Sequence, residues 1–226
     1  MREILRKNLD EVIWNIEKAR VKVSEHHIVK LVAVSKYSDE ESIKTLYELG
    51  QRAFGENQVQ QLSTRMQNLN NLPIEWHMIG TLQSNKINKL IELRPFLLQS
   101  LDSLKLAEAL NKRLIDKNQT MNVLLQINSA NEETKSGVSA DEAIDIYHQI
   151  IENYSNLNLK GVMSIGAHTD DIKEIQKSFE TTYKIYDRLK AYGATVCSMG
   201  MSSDYELAIR CGSNLVRIGS QIFKKS

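Results

Sequence analysis

The chain has 226 residues, of which 42% are hydrophobic and 25% are charged, a composition typical of a folded globular protein. Its 29 Lys and Arg residues nearly balance its 28 Asp and Glu residues, which argues against a nucleic-acid partner or an anionic membrane surface. Two cysteines are too few for a disulfide framework, and the N-terminus has no uninterrupted apolar segment. We therefore expect a cytoplasmic protein without a signal peptide.

The chain begins with a predicted amphipathic helix and continues as an alternation of strands and helices. Leu5, Leu9, Val12, Ile13 and Ile16 recur at helical spacing. Eight strand-like segments follow: Leu31–Lys36, Arg52–Asn57, Glu75–Gly80, Phe96–Leu101, Asn122–Asn128, Leu159–Gly166, Thr195–Met201 and Leu215–Ser220. Such alternation predicts parallel βαβ units, and eight units predict an α/β fold of the closed (β/α)8 TIM-barrel type with an extra N-terminal helix. An open doubly wound sheet is the competing architecture.

Several predicted helices have recognisable ends. Ser38 and Ser139 each begin an S-x-x-E capping box, and Ser103 precedes another apolar helical repeat. Gly50 is the expected C-cap of the helix that starts near Ser38. No linker rich in Pro, Gly or Ser interrupts the sequence, so residues 1–226 are predicted to form a single domain.

Lys36 follows the apolar run of the first predicted strand. Partial desolvation of a lysine favours the neutral, nucleophilic amine that forms Schiff bases. Strand-end lysines also commonly extend to solvent, so the residue alone does not decide between these two roles. In a barrel, functional residues cluster at the carboxyl ends of the strands, which predicts that Lys36 points towards a shared mouth.

The loops after the seventh and eighth predicted strands have the composition of a phosphate site. Ser202 precedes an apparent helix over residues 205–211, and Gly219 and Ser220 follow the eighth strand. Glycine lets the backbone approach a ligand closely, and a helix start provides free amide donors. Each loop alone is equally consistent with a helix cap or a turn, but the two together, on adjacent strands, favour phosphate.

Three further residues are candidates for contacts with the rest of a ligand. Arg217 could face a ring nitrogen or a carboxylate, or it could form an ion pair with Glu56 or Glu75. Asn57 suits a phenolic oxygen but is also a common turn former. Met163 could pack against a flat ring, although a core position is favoured. The histidines lack metal-binding spacing, so no metal site is predicted.

A strand-one lysine combined with a phosphate cup describes a pyridoxal 5'-phosphate (PLP) site, and the sequence resembles the pyridoxal phosphate homeostasis proteins, also called the proline synthetase co-transcribed family. Seven motifs in the family's order carry the resemblance: Val32–Lys36, Phe54–Asn57, Trp76–Gly80 with Leu82–Lys86, Lys135–Gly137, Gly161–Met163, Gly200–Ser202 and Val216–Gly219. The departures from the usual pattern are Tyr37, the Ser164–His168 loop, Ser220 in place of threonine, and Ile222–Lys224.

The resemblance implies a barrel similar to the N-terminal domain of alanine racemase, with PLP on Lys36. It implies that phosphate is held around Ser202, Gly219 and Ser220, and that Arg217 lies near the pyridine nitrogen. The implied function is that of a PLP carrier or regulator without catalytic residues, with PLP-dependent apo-enzymes as transient partners.

Two enzyme hypotheses remain alternatives. A racemase of the alanine-racemase type needs a second base on the opposite face of the substrate carbon, and we expect no second domain to provide it. A sugar-phosphate or aldolase barrel would form its Schiff base between Lys36 and a substrate. A monomer is expected because the sequence shows no obvious dimerising element. Lys135, in a polar loop after the fifth strand, is expected to be solvated or to reach across the mouth.

Overall fold

The computed structural model describes residues 1–132 and 135–225. Within these ranges, parallel strands form a closed barrel surrounded by helices, an α/β TIM barrel. The barrel strands are β1 (Lys30–Val34), β2 (Ala53–Glu56), β3 (Glu75–Met78), β4 (Leu97–Leu101), β5 (Met121–Asn128), β6 (Leu157–Ser164), β7 (Val196–Ser198) and β8 (Leu215–Ile218). All eight predicted strands are present, and most of them end earlier at the mouth than predicted.

The sheet closes because its first and last strands pair. Strand β1 is parallel to β8, with Leu31 opposite Val216, and β4 is parallel to β5, with Leu98 opposite Val123. Closure leaves no exposed edge in the barrel sheet. The open doubly wound sheet, the competing architecture, is therefore wrong.

Helices cover the outside of the barrel. They are α1 (Arg2–Arg20), α2 (Glu40–Glu48), α3 (Val59–Asn68), α4 (Ile87–Leu93), α5 (Leu104–Asp116), α6 (Ala143–Asn153), α7 (Ile172–Leu189), α8 (Tyr205–Arg210) and α9 (Ser220–Phe223). Short 3-10 turns lie at Ser84–Lys86 and Lys190–Tyr192. Across the described ranges, none of the helices is both long enough and apolar enough to cross a membrane.

The extra N-terminal helix packs against α2, α8 and α9. Leu5, Leu9, Val12 and Ile16 are buried in the main hydrophobic core, as their spacing predicts. Ile13 is 44% exposed, so its assignment to the apolar face is wrong. It lies one position beyond Val12, and i,i+1 neighbours on a helix point in different directions.

Two of the three predicted N-caps need correction. Ser103 caps α5 as predicted, because its hydroxyl accepts a hydrogen bond from the Leu106 amide at 3.2 Å. Helix α2 is capped by Asp39, whose carboxylate accepts from the Ser42 amide at 2.8 Å. The predicted cap, Ser38, instead donates to the Ser35 carbonyl in the turn after β1.

A two-residue strand, Val138–Ser139, pairs with the end of β5 and is not predicted by the sequence. It delays the start of the following helix, which begins at Ala143 and not near Ser139. The capping-box pair still forms locally, since the Ser139 hydroxyl donates to the Glu142 carboxylate at 2.6 Å. Backbone pairing at the barrel mouth has overridden the local helix-start signal.

Candidate functional site

A cavity of about 1100 Å³ opens at the carboxyl ends of the barrel strands. All seven residues that the sequence analysis assigns to cofactor binding line it: Lys36, Asn57, Met163, Ser202, Arg217, Gly219 and Ser220. They belong to strands or loops from both ends of the chain. Barrel closure is therefore what brings these positions together.

The lining of the cavity suits an anionic ligand. Its side chains, within the described ranges, include three cations, Lys36, Arg217 and Lys224, and no Asp or Glu. A cavity with walls of one sign of charge concentrates ligands of the opposite sign.

Lys36 is half-buried on the loop that follows β1. Its ammonium nitrogen lies 4.9 Å from the centroid of the Tyr37 ring, and that ring is itself 90% exposed at the mouth. The loop is held from α3: the Gln61 side-chain amide donates to the Lys36 carbonyl at 2.7 Å, and Arg65 donates to the Ser38 carbonyl. These contacts fix the backbone from which the Lys36 amine extends.

Glu56 supports the same loop from behind. Its Oε1 accepts a hydrogen bond from the Ser35 hydroxyl at 2.7 Å and lies 3.8 Å from Nε of Arg65. Its Oε2 is buried without a hydrogen-bond partner among the described residues. Burial raises the pKa of the Glu56 carboxyl, because the partners offset only part of the lost hydration. This carboxyl group therefore links the end of β2 to the residue before Lys36.

The loops after β7 and β8 meet and leave several backbone donors free. Ser202 Oγ accepts from the Gly219 amide at 3.2 Å, and the Gln221 side chain donates to the Ser202 carbonyl at 2.7 Å. In residues 1–132 and 135–225, no protein oxygen accepts from the amides of Ser202, Ser203, Ser220 or Gln221. A cluster of unpaired amides and hydroxyls is the usual environment of a bound phosphate.

Two glycines permit this arrangement of loops. Gly200 has a φ of +94°, and a Cβ there would lie 2.7 Å from the Ala208 Cβ. A Cβ on Gly219 would lie 2.9 Å from the Val34 carbonyl oxygen. Side chains at either position would push the two loops away from the end of β1.

Arg217 is 4% exposed and points into the barrel interior next to the cavity. It donates to the Ser198 hydroxyl at 2.5 Å and to the Ser164 carbonyl at 2.9 Å. The alternative in which it pairs directly with Glu56 or Glu75 is wrong, because neither carboxylate is its salt-bridge partner. Burial lowers the pKa of Arg217 to about 10, so the guanidinium is still a cation at neutral pH.

Asn57 and Met163 also line the cavity. The Asn57 side chain makes no hydrogen bond within the described residues, which leaves its amide available to a ligand. Met163 is 1% exposed and packs with Leu97 and Leu124. Its favoured assignment to the core is confirmed, and the same side chain also forms part of the cavity wall.

The sequence of the chain matches known proteins over nearly its full length. The family model for the N-terminal domain of alanine racemase matches residues 8–226. A pyridoxal phosphate homeostasis protein of Helicobacter pylori is 59% identical over 220 residues, which cover 97% of this chain and 98% of the relative. The chain belongs to the pyridoxal phosphate homeostasis protein family.

Solved structures similar to this member of the pyridoxal phosphate homeostasis protein family have the same barrel. An unknown protein from Bifidobacterium adolescentis has a TM-score of 0.92 and 32% identity, and the match covers 98% of this chain and 95% of the other. PipY of Synechococcus elongatus, solved with PLP bound, has a TM-score of 0.81 and 28% identity, covering 97% and 100% of the two chains.

The Ser164–His168 loop, in which this chain departs from the usual family pattern, is connected to the loop that contains Lys135. Lys135 donates to the Glu132 carboxylate at 2.8 Å and to the Gly166 carbonyl at 2.7 Å. The expectation of a solvated Lys135 is therefore wrong, because the side chain bridges the loops after β5 and β6. It does not line the cavity. Residues 133 and 134 of this motif region lie outside the described residues.

Several lining residues are missed by the sequence analysis. Gln221, Lys224 and Thr81 line the cavity but lie beyond the strand ends that the predicted barrel brings together. The signal for Gln221 is its position directly after Gly219 and Ser220. The sequence analysis also passes over Gln99 and Ser100, which do not line the cavity. They form a polar pair within the otherwise apolar strand β4, and polar residues inside a barrel need partners.

Replacing the buried carboxyl by an amide, Glu56→Gln, should change how stability depends on pH. Because the pKa of Glu56 is raised from about 4.5, the folded protein favours its protonated form. This contribution to stability is present below about pH 4.5 and is lost as the pH rises through the folded pKa. Urea unfolding between pH 4 and pH 8 should therefore show wild type losing stability relative to Glu56→Gln as the pH rises.

Glu75→Gln is the control of opposite sign. Burial alone would raise the pKa of Glu75, but hydrogen bonds from His77 and Lys30 outweigh it and lower that pKa. The free energy of unfolding of wild type should therefore fall relative to that of Glu75→Gln as the pH falls. Identical pH profiles for wild type and Glu56→Gln would contradict the assignment of a raised pKa to Glu56.

Proposed function

We propose that this protein binds PLP through a Schiff base on Lys36 and acts in PLP homeostasis as a carrier or regulator of the cofactor. The observation that supports this most strongly is the composition of the cavity at the carboxyl ends of the barrel strands. It combines a primary amine, a buried guanidinium and a cluster of free amide and hydroxyl donors, with no acidic side chain in its described lining. PLP presents an aldehyde, a pyridine nitrogen and a phosphate, which match these three groups.

The relatives support the same ligand. The Helicobacter pylori relative is named a pyridoxal phosphate homeostasis protein, and PipY has been solved with PLP bound. In this proposal the phosphate contacts Ser202, Gly219 and Ser220, and Arg217 faces the pyridine nitrogen. Asn57 contacts the phenolic oxygen, and Met163 packs against the ring.

Each residue contributes one simple action to binding. When bound, PLP supplies an aldehyde that condenses with an amine and a ring that can withdraw electrons. Lys36 provides the amine: its nitrogen bonds to the aldehyde carbon, and the carbonyl oxygen leaves as water. Arg217 donates a hydrogen bond but holds its own proton firmly, so it does not favour protonation of the ring nitrogen.

The arrangement favours cofactor handling over catalysis at carbon. Racemisation needs two bases on opposite faces of the substrate carbon. The titratable side chains in the described lining are Lys36, Tyr37, Arg217 and Lys224. Lys36 and Tyr37 are adjacent and in contact, which does not provide bases on opposite faces. We therefore propose that the protein has no robust enzymatic activity and exchanges PLP with apo-enzymes.

We also propose a domain organisation, a cellular location and an oligomeric state for the protein. We propose that residues 1–226 form one domain, which is supported by the main core that α1 shares with the barrel helices. Cys197 and Cys211 are free thiols, consistent with a cytoplasmic protein. We propose a monomer, which light scattering of the purified protein would test.

Lys36→Ala should abolish covalent binding of PLP. The variant should lack the visible absorption band of a PLP Schiff base and should not retain the cofactor after borohydride reduction. Lys135→Ala and Lys86→Ala are matched controls, because neither lysine lines the cavity, and both should keep the band. A reducible band of wild-type strength in Lys36→Ala would show that another lysine carries PLP. A wild-type protein that never acquires the band would favour the sugar-phosphate or aldolase hypothesis.

Removing the hydroxyls of the phosphate loops should weaken retention of PLP without unfolding the barrel. A charge-assisted hydrogen bond to phosphate is worth on the order of 1.5–3 kcal/mol, so Ser220→Ala should raise the Kd for PLP roughly tenfold or more. Ser202→Ala should have a similar effect and also frees the Gly219 amide. Equilibrium dialysis measures the Kd, and Ser155→Ala, an exposed serine outside the cavity, should match wild type. An unchanged Kd in the Ser202→Ala, Ser220→Ala double variant would contradict this placement of the phosphate.

PLP-loaded protein incubated with L-alanine should produce no more than about one turnover of D-alanine, because the adjacent Lys36 and Tyr37 do not place two bases on opposite faces of the substrate carbon. Chiral chromatography follows the enantiomers, and transfer of PLP to an added apo-enzyme is measured in parallel. Repeated turnovers that disappear in Lys36→Ala would restore the racemase hypothesis.

A further inference from the structure

A continuous chain of hydrogen-bonded side chains crosses the interior of the barrel from the cavity to the opposite end. It starts at Arg217, passes through Ser198, Gln99 and His77, and ends at Glu75. His77, Gln99 and Ser198 have no solvent exposure, and Arg217 is only 4% exposed. These residues come from four different strands, β8, β7, β4 and β3.

The contacts along this chain are short and consecutive. Arg217 Nη1 lies 2.5 Å from Ser198 Oγ, and Ser198 Oγ lies 2.6 Å from Gln99 Oε1. Gln99 Nε2 lies 2.9 Å from His77 Nδ1, and His77 Nε2 lies 2.7 Å from Glu75 Oε1. At the end of the barrel away from the cavity, Glu75 also pairs with Lys30.

The carboxylate at the far end determines the direction of every hydrogen bond. An ionised Glu75 can only accept, so His77 Nε2 must carry the hydrogen. Burial lowers the pKa of His77, which keeps the ring neutral and leaves Nδ1 as an acceptor. Gln99 must therefore direct its NH2 group at His77 and its carbonyl at Ser198. The Ser198 hydrogen then points to Gln99, and its lone pairs face Arg217.

The result is that Ser198 can only accept from the guanidinium. Together with the Ser164 carbonyl, which accepts from Nη2, it holds the guanidinium by two of its five N–H groups. The remaining N–H groups have no acceptor among the described residues and lie beside the cavity. A buried cation held this way has one allowed orientation, because any rotation would break a buried hydrogen bond.

A merely structural core would not require this chain. Apolar side chains of similar volume fill barrel interiors without the desolvation cost of a buried arginine, histidine and glutamine. Ser198, Gln99 and His77 each form a hydrogen bond to a neighbour on both sides, and a network connected in this way imposes one arrangement on its members. The member that reaches the ligand cavity is Arg217.

We propose that Ser198, Gln99 and His77 are positioning residues that fix the Arg217 guanidinium as a hydrogen-bond donor to the pyridine nitrogen of PLP. This inference rests on the proposed function, since it assumes that PLP is the ligand. The positioning residues act through Arg217 and do not touch the ligand themselves.

The test compares Ser198→Ala with Ser178→Ala. Both serines are buried, and each hydroxyl accepts one hydrogen bond and donates one. The Ser178 hydroxyl accepts from the Ala167 amide and donates to the Ile175 carbonyl, so it takes no part in the network from Arg217 to Glu75. Both variants are loaded with PLP carrying a 15N label at the ring nitrogen. In Ser198→Ala the 15N chemical shift of the PLP ring nitrogen should move towards that of a pyridine that accepts no hydrogen bond. The Kd for PLP should rise roughly tenfold. Ser178→Ala should keep the wild-type shift.

A second pair of variants tests transmission through Gln99. Gln99→Met removes both hydrogen bonds, whereas Gln99→Glu keeps an acceptor for Ser198 and can share a proton with His77. Gln99→Met should reproduce the shift of Ser198→Ala, and Gln99→Glu should restore most of the wild-type value. Equal 15N shifts in wild type, Ser198→Ala and Gln99→Met would overturn the positioning role while leaving PLP binding intact.

The apo-protein provides a measurement that does not depend on PLP. Rotation about the Arg217 guanidinium bonds, followed by 15N NMR, should be slow in wild type and Ser178→Ala and fast in Ser198→Ala. Slow rotation in Ser198→Ala would overturn the proposal even if the protein bound a different ligand. A wild-type protein that takes up no PLP, with the expected rotation pattern, would refute the proposed function and leave the orientation of Arg217 by the chain established.

Discussion

The pairing of the first strand with the last is the interaction on which the site depends. Strand β1 runs parallel to β8 along its length, and a Cβ on Gly219 would lie 2.9 Å from the Val34 carbonyl. This contact places Lys36, just beyond the end of β1, beside the loop that contains Gly219 and Ser220. The amine and the free amides of the phosphate loops therefore share one cavity only because the barrel closes there.

Closure of the barrel also buries a cationic side chain, that of Arg217. Arg217 lies on the closing strand and points inward, where a cation loses most of its hydration. No carboxylate is in salt-bridge distance of it among the described residues. Its direct partners are the Ser198 hydroxyl and the Ser164 carbonyl, and the more distant Asp204 carboxylate also favours its charge. From Ser198, hydrogen bonds continue across the barrel to Glu75, which does not pair directly with Arg217. The two residues are connected, but through three intervening side chains.

The loop that carries Lys36 is held separately from the phosphate loops. Gln61 and Arg65 of α3 bind its backbone, and Glu56 binds the hydroxyl of Ser35. Thus the first two βα units position the amine, and the last two provide the free amides and hydroxyls that we propose bind phosphate. Between them the cavity is lined by Asn57, whose amide is free, and by Met163, which belongs to the core.

The sequence by itself determined the order of the elements and the identity of the seven candidate residues. Strand positions follow from apolar runs, and functional residues in a parallel barrel lie at strand ends, so Lys36, Ser202 and Gly219 could be recognised without coordinates. Their gathering in one cavity also follows from closure, which the count of eight βα units already predicts. The local helix signals were less reliable: Ser103 caps α5, but Asp39 replaces Ser38, and strand pairing at Val138 overrides the start at Ser139.

Only the tertiary structure decided which partners the buried polar groups have. One hydrogen-bonded network connects four strands that are far apart in the sequence, through Arg217, Ser198, Gln99 and His77. Nothing in the spacing of these residues along the sequence indicates that they are connected. The same is true of Lys135, whose side chain bridges two loops. The spacing of apolar residues in the sequence indicates where each helix and strand lies. The hydrogen-bond partners of inward-pointing side chains depend instead on strand register and stagger around the closed barrel.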